Sequence, residues 1–135
     1  MIISELIELT NLGDDRGSLV VLEHNKQVPF NIERVYYIYA TEQGVSRGFH
    51  AHKELEQIAI CVKGQCEMLL DNGQEKQTTL LDSPTKAVAI NKMVWHEMHN
   101  FSDDCVLLVL ASDIYDESDY IRNYKAFIEA VNHDS

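Results

Sequence analysis

The chain has 135 residues, of which 45% are hydrophobic and 24% charged, and its net charge is −11. This length suits one domain with its own core, so we expect a single domain over residues 1–135. The negative charge argues against nucleic-acid binding, because phosphate contacts need clustered lysine and arginine, and no apolar run reaches the roughly 18 residues that a membrane-spanning helix needs.

The first third of the sequence predicts three strands separated by turn residues. Residues 2–9 alternate loosely between apolar and polar, residues 18–23 form a second strand-like run, and residues 33–40 are rich in β-branched and aromatic side chains. Asparagine, glycine and aspartate at 11–17 predict a turn after the first strand. Pro29 predicts a break before the third, because proline removes a donor from the sheet ladder.

The middle of the sequence predicts further short strands. They cover residues 45–52, 57–63, 66–71, 77–81, 86–90, 94–100 and 105–111. Gly64-Gln65 predicts a tight hairpin between two of these strands. Asp71-Asn72-Gly73 predicts another hairpin, because type I′ turns favour residues that accept positive φ.

Only the tail predicts a helix, because its apolar residues recur with a period of about 3.6. The apolar stripe consists of Tyr120, Ile121, Tyr124, Phe127, Ile128 and Val131. Asp116, Ser118 and Asp119 are candidates for the N-cap of this helix. With about ten short strands before it, the chain predicts an all-β sandwich or barrel whose interior is lined by alternate residues of each strand.

The chain begins with acidic residues where a secretory signal carries basic ones. The three cysteines, Cys61, Cys66 and Cys105, have spacings that fit neither a zinc ribbon nor a disulfide framework. Reduced thiols in a cytoplasmic protein are therefore expected.

Two histidines at i and i+2, His50 and His52, are the strongest chemical signal. On a strand their side chains share one face, so both imidazoles point into one space. With Glu56 and His96 they offer a set of metal ligands that suits zinc, manganese, iron or nickel about equally. Two neighbouring histidines also suit proton transfer, because their ordinary pKa lies near ~6.5. Spacing alone leaves both alternatives open.

Two further features bear on a site. Arg47 lies an odd number of residues before His50, so it faces the opposite side of a regular strand unless Gly48 marks a bulge. Its alternative role is a surface ion pair. Tyr37 and Tyr39 share one face of their strand and Tyr36 takes the other, so one face lines the core and the other is available to a site.

Two motifs resemble those of the cupin superfamily, which are small β-barrels. The first is Gly44-x5-His50-x-His52-x3-Glu56-x7-Gly64 and the second is His96-x3-Asn100. Gly64 comes one residue later than in the usual motif. Asn91 and Met93 stand where a proline and a glycine usually precede the second histidine.

Six blocks resemble the nucleotide-sugar 3,4-ketoisomerases, the WxcM-like members of that superfamily. They are residues 14–19, 34–39, 47–53, 55–57, 94–96 and 115–120. The resemblance implies an all-β cupin, a jelly-roll-like barrel with a short C-terminal helix, that forms a homodimer. Members also occur fused to acyltransferase domains, so residues 1–135 suit the N-terminal part of a longer bifunctional chain as well.

The same resemblance implies the reaction and its residues. The substrate is a dTDP-linked 4-keto-6-deoxyhexose, whose keto group moves from C4 to C3 without a metal or other cofactor. The product serves the biosynthesis of dTDP-3-amino-3,6-dideoxy sugars of the kind found in lipopolysaccharide O-antigens. His50 and His52 are implied as the catalytic pair, although which is acid and which is base stays open. The implied substrate contacts are Arg47, Arg16, Tyr37, Tyr39, His96 and Glu56.

Arginine at position 16 suits a diphosphate through its bidentate fork, and its alternative role is that of a turn residue. Two other functions remain open from the residues. One is a metal-binding cupin, either an oxygenase or a sensor. The other is a dTDP-sugar 3,5-epimerase, which also needs proton abstraction beside a ketone.

Overall fold

The computed structural model describes residues 2–133 as two five-stranded antiparallel sheets followed by one α-helix. The elements in chain order are β1 (Leu6–Glu8), β2 (Arg34–Ile38), β3 (Arg47–His52), β4 (Gln57–Lys63), β5 (Cys66–Asp71), β6 (Lys76–Leu81), β7 (Lys86–Ile90), β8 (Trp95–His99), β9 (Val106–Ala111), β10 (Tyr120–Ile121) and α1 (Tyr124–His133). None of the helices within residues 2–133 is both long enough and apolar enough to cross a membrane.

The two sheets enclose the main core. One sheet has the strand order β1-β7-β4-β9-β2 and the other β10-β3-β8-β5-β6. Their facing sides bury Met68 and Leu70 from β5 against Leu107 and Val109 from β9. The alternation of apolar residues therefore predicted the right class, and the all-β fold with a short C-terminal helix is confirmed.

The strand predicted at residues 18–23 is wrong. This segment runs over the outer face of the first sheet, where Val20 and Leu22 pack against a second apolar cluster that contains Ile58 and Ile60. Residues 18–23 belong to no strand. β propensity reports only that side chains suit a half-buried surface, and it does not supply a neighbouring strand.

The hairpin predicted at Gly64-Gln65 is also wrong, because β4 and β5 belong to different sheets. The two residues instead carry the chain across one end of the barrel, where Cys61, Cys66 and Cys105 are buried as free thiols. Gly64 is needed there because its φ is +70° and a Cβ would lie 2.8 Å from the Cα of Cys105. The second predicted hairpin, between β5 and β6, is confirmed.

The tail departs from the predicted helix at its start. Tyr120 and Ile121 form β10, which pairs with His52 and Ala51 of β3. The helix begins only at Tyr124, and its one fully buried side chain, that of Phe127, packs with Ala51. The tail stripe therefore divides between a short strand beside the histidines and a helix that covers the back of β3.

The N-cap prediction is wrong for the same reason. Asp116 caps a short 3₁₀ helix by accepting a hydrogen bond from the backbone N–H of Ser118. The cap of α1 is Asn123, whose Oδ1 accepts the N–H of Ala126 at 2.9 Å. We expect Asn123→Ala to lower the free energy of unfolding by about 1 kcal/mol, since it removes this acceptor.

Urea unfolding followed by circular dichroism measures the change. Lys125→Ala is the matched control, because Lys125 is exposed on the same turn and exposed substitutions usually change stability by less than about 0.5 kcal/mol. Equal unfolding midpoints for the two variants would contradict the cap.

Candidate active site

Three histidines meet inside the barrel. His50 and His52 come from β3, and His96 comes from β8, where it lies directly opposite His50. The ring centroid of His50 lies 4.9 Å from that of His52 and 4.4 Å from that of His96. One nitrogen of each ring lies within 4.8 Å of the others. The i, i+2 spacing therefore places both imidazoles in one space, as expected.

Glu56 does not join this group. It precedes β4 in the opposite sheet, where its backbone N–H donates to Ser112 Oγ at 2.9 Å. The cluster of nitrogen ligands contains only the three histidines within the described part of the chain. The four-ligand set predicted from the spacing is thus not assembled, because Glu56 lies just before β4, a strand of the other sheet.

A bulge in β3 brings Arg47 to the same side as His50. The register shifts between Gly48 and His50, and φ is +93° at Gly48 and +63° at Phe49. The Gly48 carbonyl also accepts a hydrogen bond from Nδ1–H of His50 at 3.1 Å. That tautomer leaves Nε2 of His50 as the nitrogen that can accept a proton.

A cavity of about 300 Å³, here called the histidine cleft, lies beside His50. Three arginines, two tyrosines and the bulge line it: Arg34, Arg47, Arg122, Tyr36, Tyr120 and Gly48. Among residues 2–133, no carboxylate lines this cleft. The cleft therefore favours a negatively charged small molecule despite the acidity of the whole chain.

A second cavity of about 150 Å³, here called the acidic cavity, lies on the side of His52. Its lining includes the carboxylates of Glu54, Asp113, Asp116 and Asp119. Arg34 and Tyr120 line both cavities, so they form part of the wall between them.

Asp119 carries the carboxylate nearest to Nδ1 of His52, and the sequence analysis considered it only as a helix cap. Its Oδ2 lies 3.2 Å from Nδ1 of His52. The backbone N–H groups of Glu54 and Leu55 donate to the same carboxylate at 2.8 and 3.2 Å and fix its position. No spacing rule links residues 52 and 119, because it is the pairing of β10 with β3 that brings them together.

The two tyrosines predicted as substrate contacts do not line the histidine cleft of their own chain. Tyr37 and Tyr39 are 62% and 66% exposed on the outside of β2, whereas Tyr36 lines the histidine cleft. The hydroxyl of Tyr36 donates to Oε1 of the buried Gln57 at 2.6 Å. The inner face of β2 was not identifiable from the sequence, because tyrosines occupy both faces.

Arg16 is likewise not brought to the cleft of its own chain. Its side chain is 88% exposed and forms an ion pair with Asp14 at 2.6 Å within the predicted turn. The structure therefore gathers His50, His52, His96 and Arg47 in one region and leaves Glu56, Arg16, Tyr37 and Tyr39 outside it.

Burial keeps the histidines neutral. It lowers the pKa of His96 to about 3, with a further contribution from the neighbouring imidazoles. Burial and His50 lower the pKa of His52 to about 4 against the opposing effect of Asp119. Burial also lowers the pKa of His50. Near neutral pH each ring is therefore unprotonated, and the same burial makes it a weaker base than a free imidazole.

These shifts predict a loss of stability in mild acid. The unfolded chain binds protons on its histidines below a pH of about 6.5, whereas His96 in the folded chain stays neutral down to a pH of about 3. Stability is therefore highest above the unfolded pKa and falls as the pH drops through this window. We expect His96→Gln to flatten the dependence of the urea midpoint on pH, while exposed His24→Gln leaves it unchanged. An unchanged slope in His96→Gln would contradict this assignment.

Comparison with known proteins identifies the family. The family model described as FdtA, WxcM-like, C-terminal matches residues 3–132. The chain is 51% identical over 132 residues to TDP-4-oxo-6-deoxy-alpha-D-glucose-3,4-oxoisomerase of Aneurinibacillus thermoaerophilus, which covers 96% of this chain and 95% of that protein.

Two solved structures extend the comparison. A 3,4-ketoisomerase from Helicobacter canadensis is 45% identical with a TM-score of 0.94, over 98% of this chain and 99% of that one. A histidine-to-asparagine mutant of the 3,4-ketoisomerase QdtA from Thermoanaerobacterium thermosaccharolyticum, in complex with TDP-4-keto-6-deoxyglucose, is 39% identical with a TM-score of 0.94, over 98% of this chain and 97% of that one. The chain therefore belongs to the WxcM-like family of nucleotide-sugar 3,4-ketoisomerases.

Proposed function

We propose that this protein converts a dTDP-linked 4-keto-6-deoxyhexose into its 3-keto isomer, in the route to dTDP-3-amino-3,6-dideoxy sugars. The observation that carries the proposal is the pair of neutral imidazoles, 4.9 Å apart, beside a cleft lined by arginines. The names of the relatives support the same substrate class, because they are TDP-sugar 3,4-ketoisomerases.

The reaction needs proton transfer at two adjacent carbons. The C3–H bond breaks, its proton goes to a base, and its electrons form the double bond of an enediol(ate). A proton then adds to C4, while the hydroxyl proton moves from O3 to O4 and leaves the ketone at C3. His50 lines the cleft, and its Nε2 is free to take the C3 proton. Positioned proton transfer of this kind contributes roughly 10²–10⁴-fold.

The arginines supply the electrostatic part. Arg34, Arg47 and Arg122 line the cleft, but Arg122 is paired with Glu117. Arg34 and Arg47 are therefore the main cations that favour the diphosphate and the developing enediolate. Burial raises the pKa of Tyr36 to about 12, so its hydroxyl stays protonated. Its proton is donated to Gln57, which leaves the phenol oxygen to accept a hydrogen bond from a sugar hydroxyl.

The proposal also has two copies of the chain form a homodimer. Arg16, Tyr37 and Tyr39 do not line the cleft of their own chain, so we retain them as substrate contacts only for the cleft of a second copy. Arg16→Ala is then expected to weaken dTDP-sugar binding without changing the stability of the chain.

The test is incubation with dTDP-4-keto-6-deoxyglucose in deuterated water, followed by NMR. A 3-keto product and exchange at the C3 position are expected. An unchanged substrate without exchange would refute the proposal. A 4-keto product with an inverted carbon indicates the epimerase, and an absolute requirement for a stoichiometric metal ion indicates the metal cupin.

A further inference from the structure

His50 and His52 open on different cavities. His50 lines the histidine cleft, whereas His52 lines the acidic cavity. The ring of Tyr120 lines both cavities and packs against both imidazoles, with its centroid 4.9 Å from that of His50 and 4.3 Å from that of His52. Arg34 lines both sides of the same wall. One histidine therefore serves each cavity.

His52 has an unused polar atom on its side. The residue is only 3% exposed, and its Nδ1 makes no well-formed hydrogen bond within the described chain. The nearest carboxylate oxygen, Oδ2 of Asp119, lies 3.2 Å away but outside good hydrogen-bond geometry. A buried polar nitrogen without a partner is costly, so a water molecule in the acidic cavity is its natural partner.

In the proposed reaction one histidine acts as the base and the other as the acid, so the two rings end a turnover in different protonation states. One neutral ring takes the C3 proton and becomes imidazolium, whereas the other must first receive a proton from solvent before it can add one to C4. After one turnover one ring therefore holds an extra proton, and the other is neutral again and must be recharged. The pair must then be reset. The rings meet edge to face at 86°, and no hydrogen bond joins them in the described chain, so the geometry does not offer a direct transfer.

From these observations we infer that His52 exchanges its proton with bulk water through Asp119 and the acidic cavity, while His50 faces the sugar. The inference rests on the proposed function and adds the route by which the pair is reset. A sugar in the histidine cleft covers His50 but leaves the acidic cavity open. Asp119 is a positioning and relay residue, and Glu54, Asp113 and Asp116 line the path to solvent.

Isotope transfer tests the route. Substrate deuterated at C3 is converted in ordinary water, and the fraction of product that carries deuterium at C4 is measured by NMR. The normal enzyme is expected to place mainly solvent hydrogen at C4. Asp119→Asn closes the relay while keeping the shape of the side chain, so retained deuterium is expected to rise at least about twofold among completed turnovers.

The control is Asp103→Asn, because Asp103 is exposed and lines neither cavity. It is expected to leave both turnover and labelling unchanged. An active Asp119→Asn enzyme with the labelling of the normal enzyme would overturn the route. Absence of any conversion by the normal enzyme would instead remove the proposed function.

A second measurement does not depend on turnover or on a variant. Exchange of the ring N–H protons with water is followed by NMR on histidine-labelled protein, with and without saturating TDP-glucose, which has no ketone to react. The ligand is expected to slow exchange at His50 by about tenfold, since it excludes water from the cleft, and to leave exchange at His52 within about twofold. Equal slowing at both rings, or slowing only at His52, would overturn the route.

Discussion

Replacement of His50 by asparagine is expected to reduce isomerisation by roughly 10²–10⁴-fold without unfolding the protein. Asparagine keeps a polar group of similar reach that can still donate to the Gly48 carbonyl. It has no nitrogen that can accept a proton near neutral pH. The loss therefore concerns the proton on C3 and not the architecture of β3.

The measurement is turnover of dTDP-4-keto-6-deoxyglucose together with C3 exchange in deuterated water. The thermal midpoint and dTDP-sugar affinity of His50→Asn should stay close to those of the normal protein. His24→Asn serves as the control, because His24 lies on the exposed N-terminal segment. Full activity in His50→Asn would show that this imidazole does not transfer the proton.

The second large effect is expected from Gly48→Ala, which places a methyl group at the bulge. The φ of +93° is unfavourable for any residue with a Cβ, and that Cβ would lie 2.9 Å from the carbonyl oxygen of His96. Together the backbone strain and the overlap are expected to lower the free energy of unfolding by about 2–4 kcal/mol.

The same change is expected to reduce activity by about 10²-fold, because small misplacements of a catalytic group cost that much. The Gly48 carbonyl holds His50 at 3.1 Å, so a shift of the bulge moves the ring. Activity is measured at a temperature where the variant remains folded.

Gly44→Ala is the matched control for backbone strain. Its φ is +79°, but a Cβ there would meet nothing within 4 Å. It is expected to lower the free energy of unfolding by only about 1–2 kcal/mol and to leave turnover unchanged. If the two variants lose equal stability and activity, the close approach of β3 to β8 has no role.

The errors of the sequence analysis share a cause. Gly64-Gln65 has the composition of a hairpin, but the strands that it joins pack on opposite sides of the core. Residues 18–23 have strand composition but no strand beside them. In both cases the sequence pattern describes side chains, whereas the outcome depends on which distant strand lies alongside.

The functional site likewise combines features that were visible in the sequence with features that depend on strand pairing. The pairing of His50 with His52 follows from the two-residue period of a strand, so it was visible in the sequence. The pairing of His52 with Asp119 was not, because it follows from the ladder between β3 and β10. The bulge at Gly48 was left open by the sequence and decided by packing against His96.

The sequence by itself determined the class of the fold, most of its strands and the two imidazoles on one face, because these depend on periodicities of a few residues. The tertiary structure decided which of the tyrosines faces inward, that Arg47 lies in the cleft, and that Glu56 stands apart from the histidines. These features depend on contacts between strands far apart in the chain, where a shift of one residue turns a side chain to the other face of the sheet.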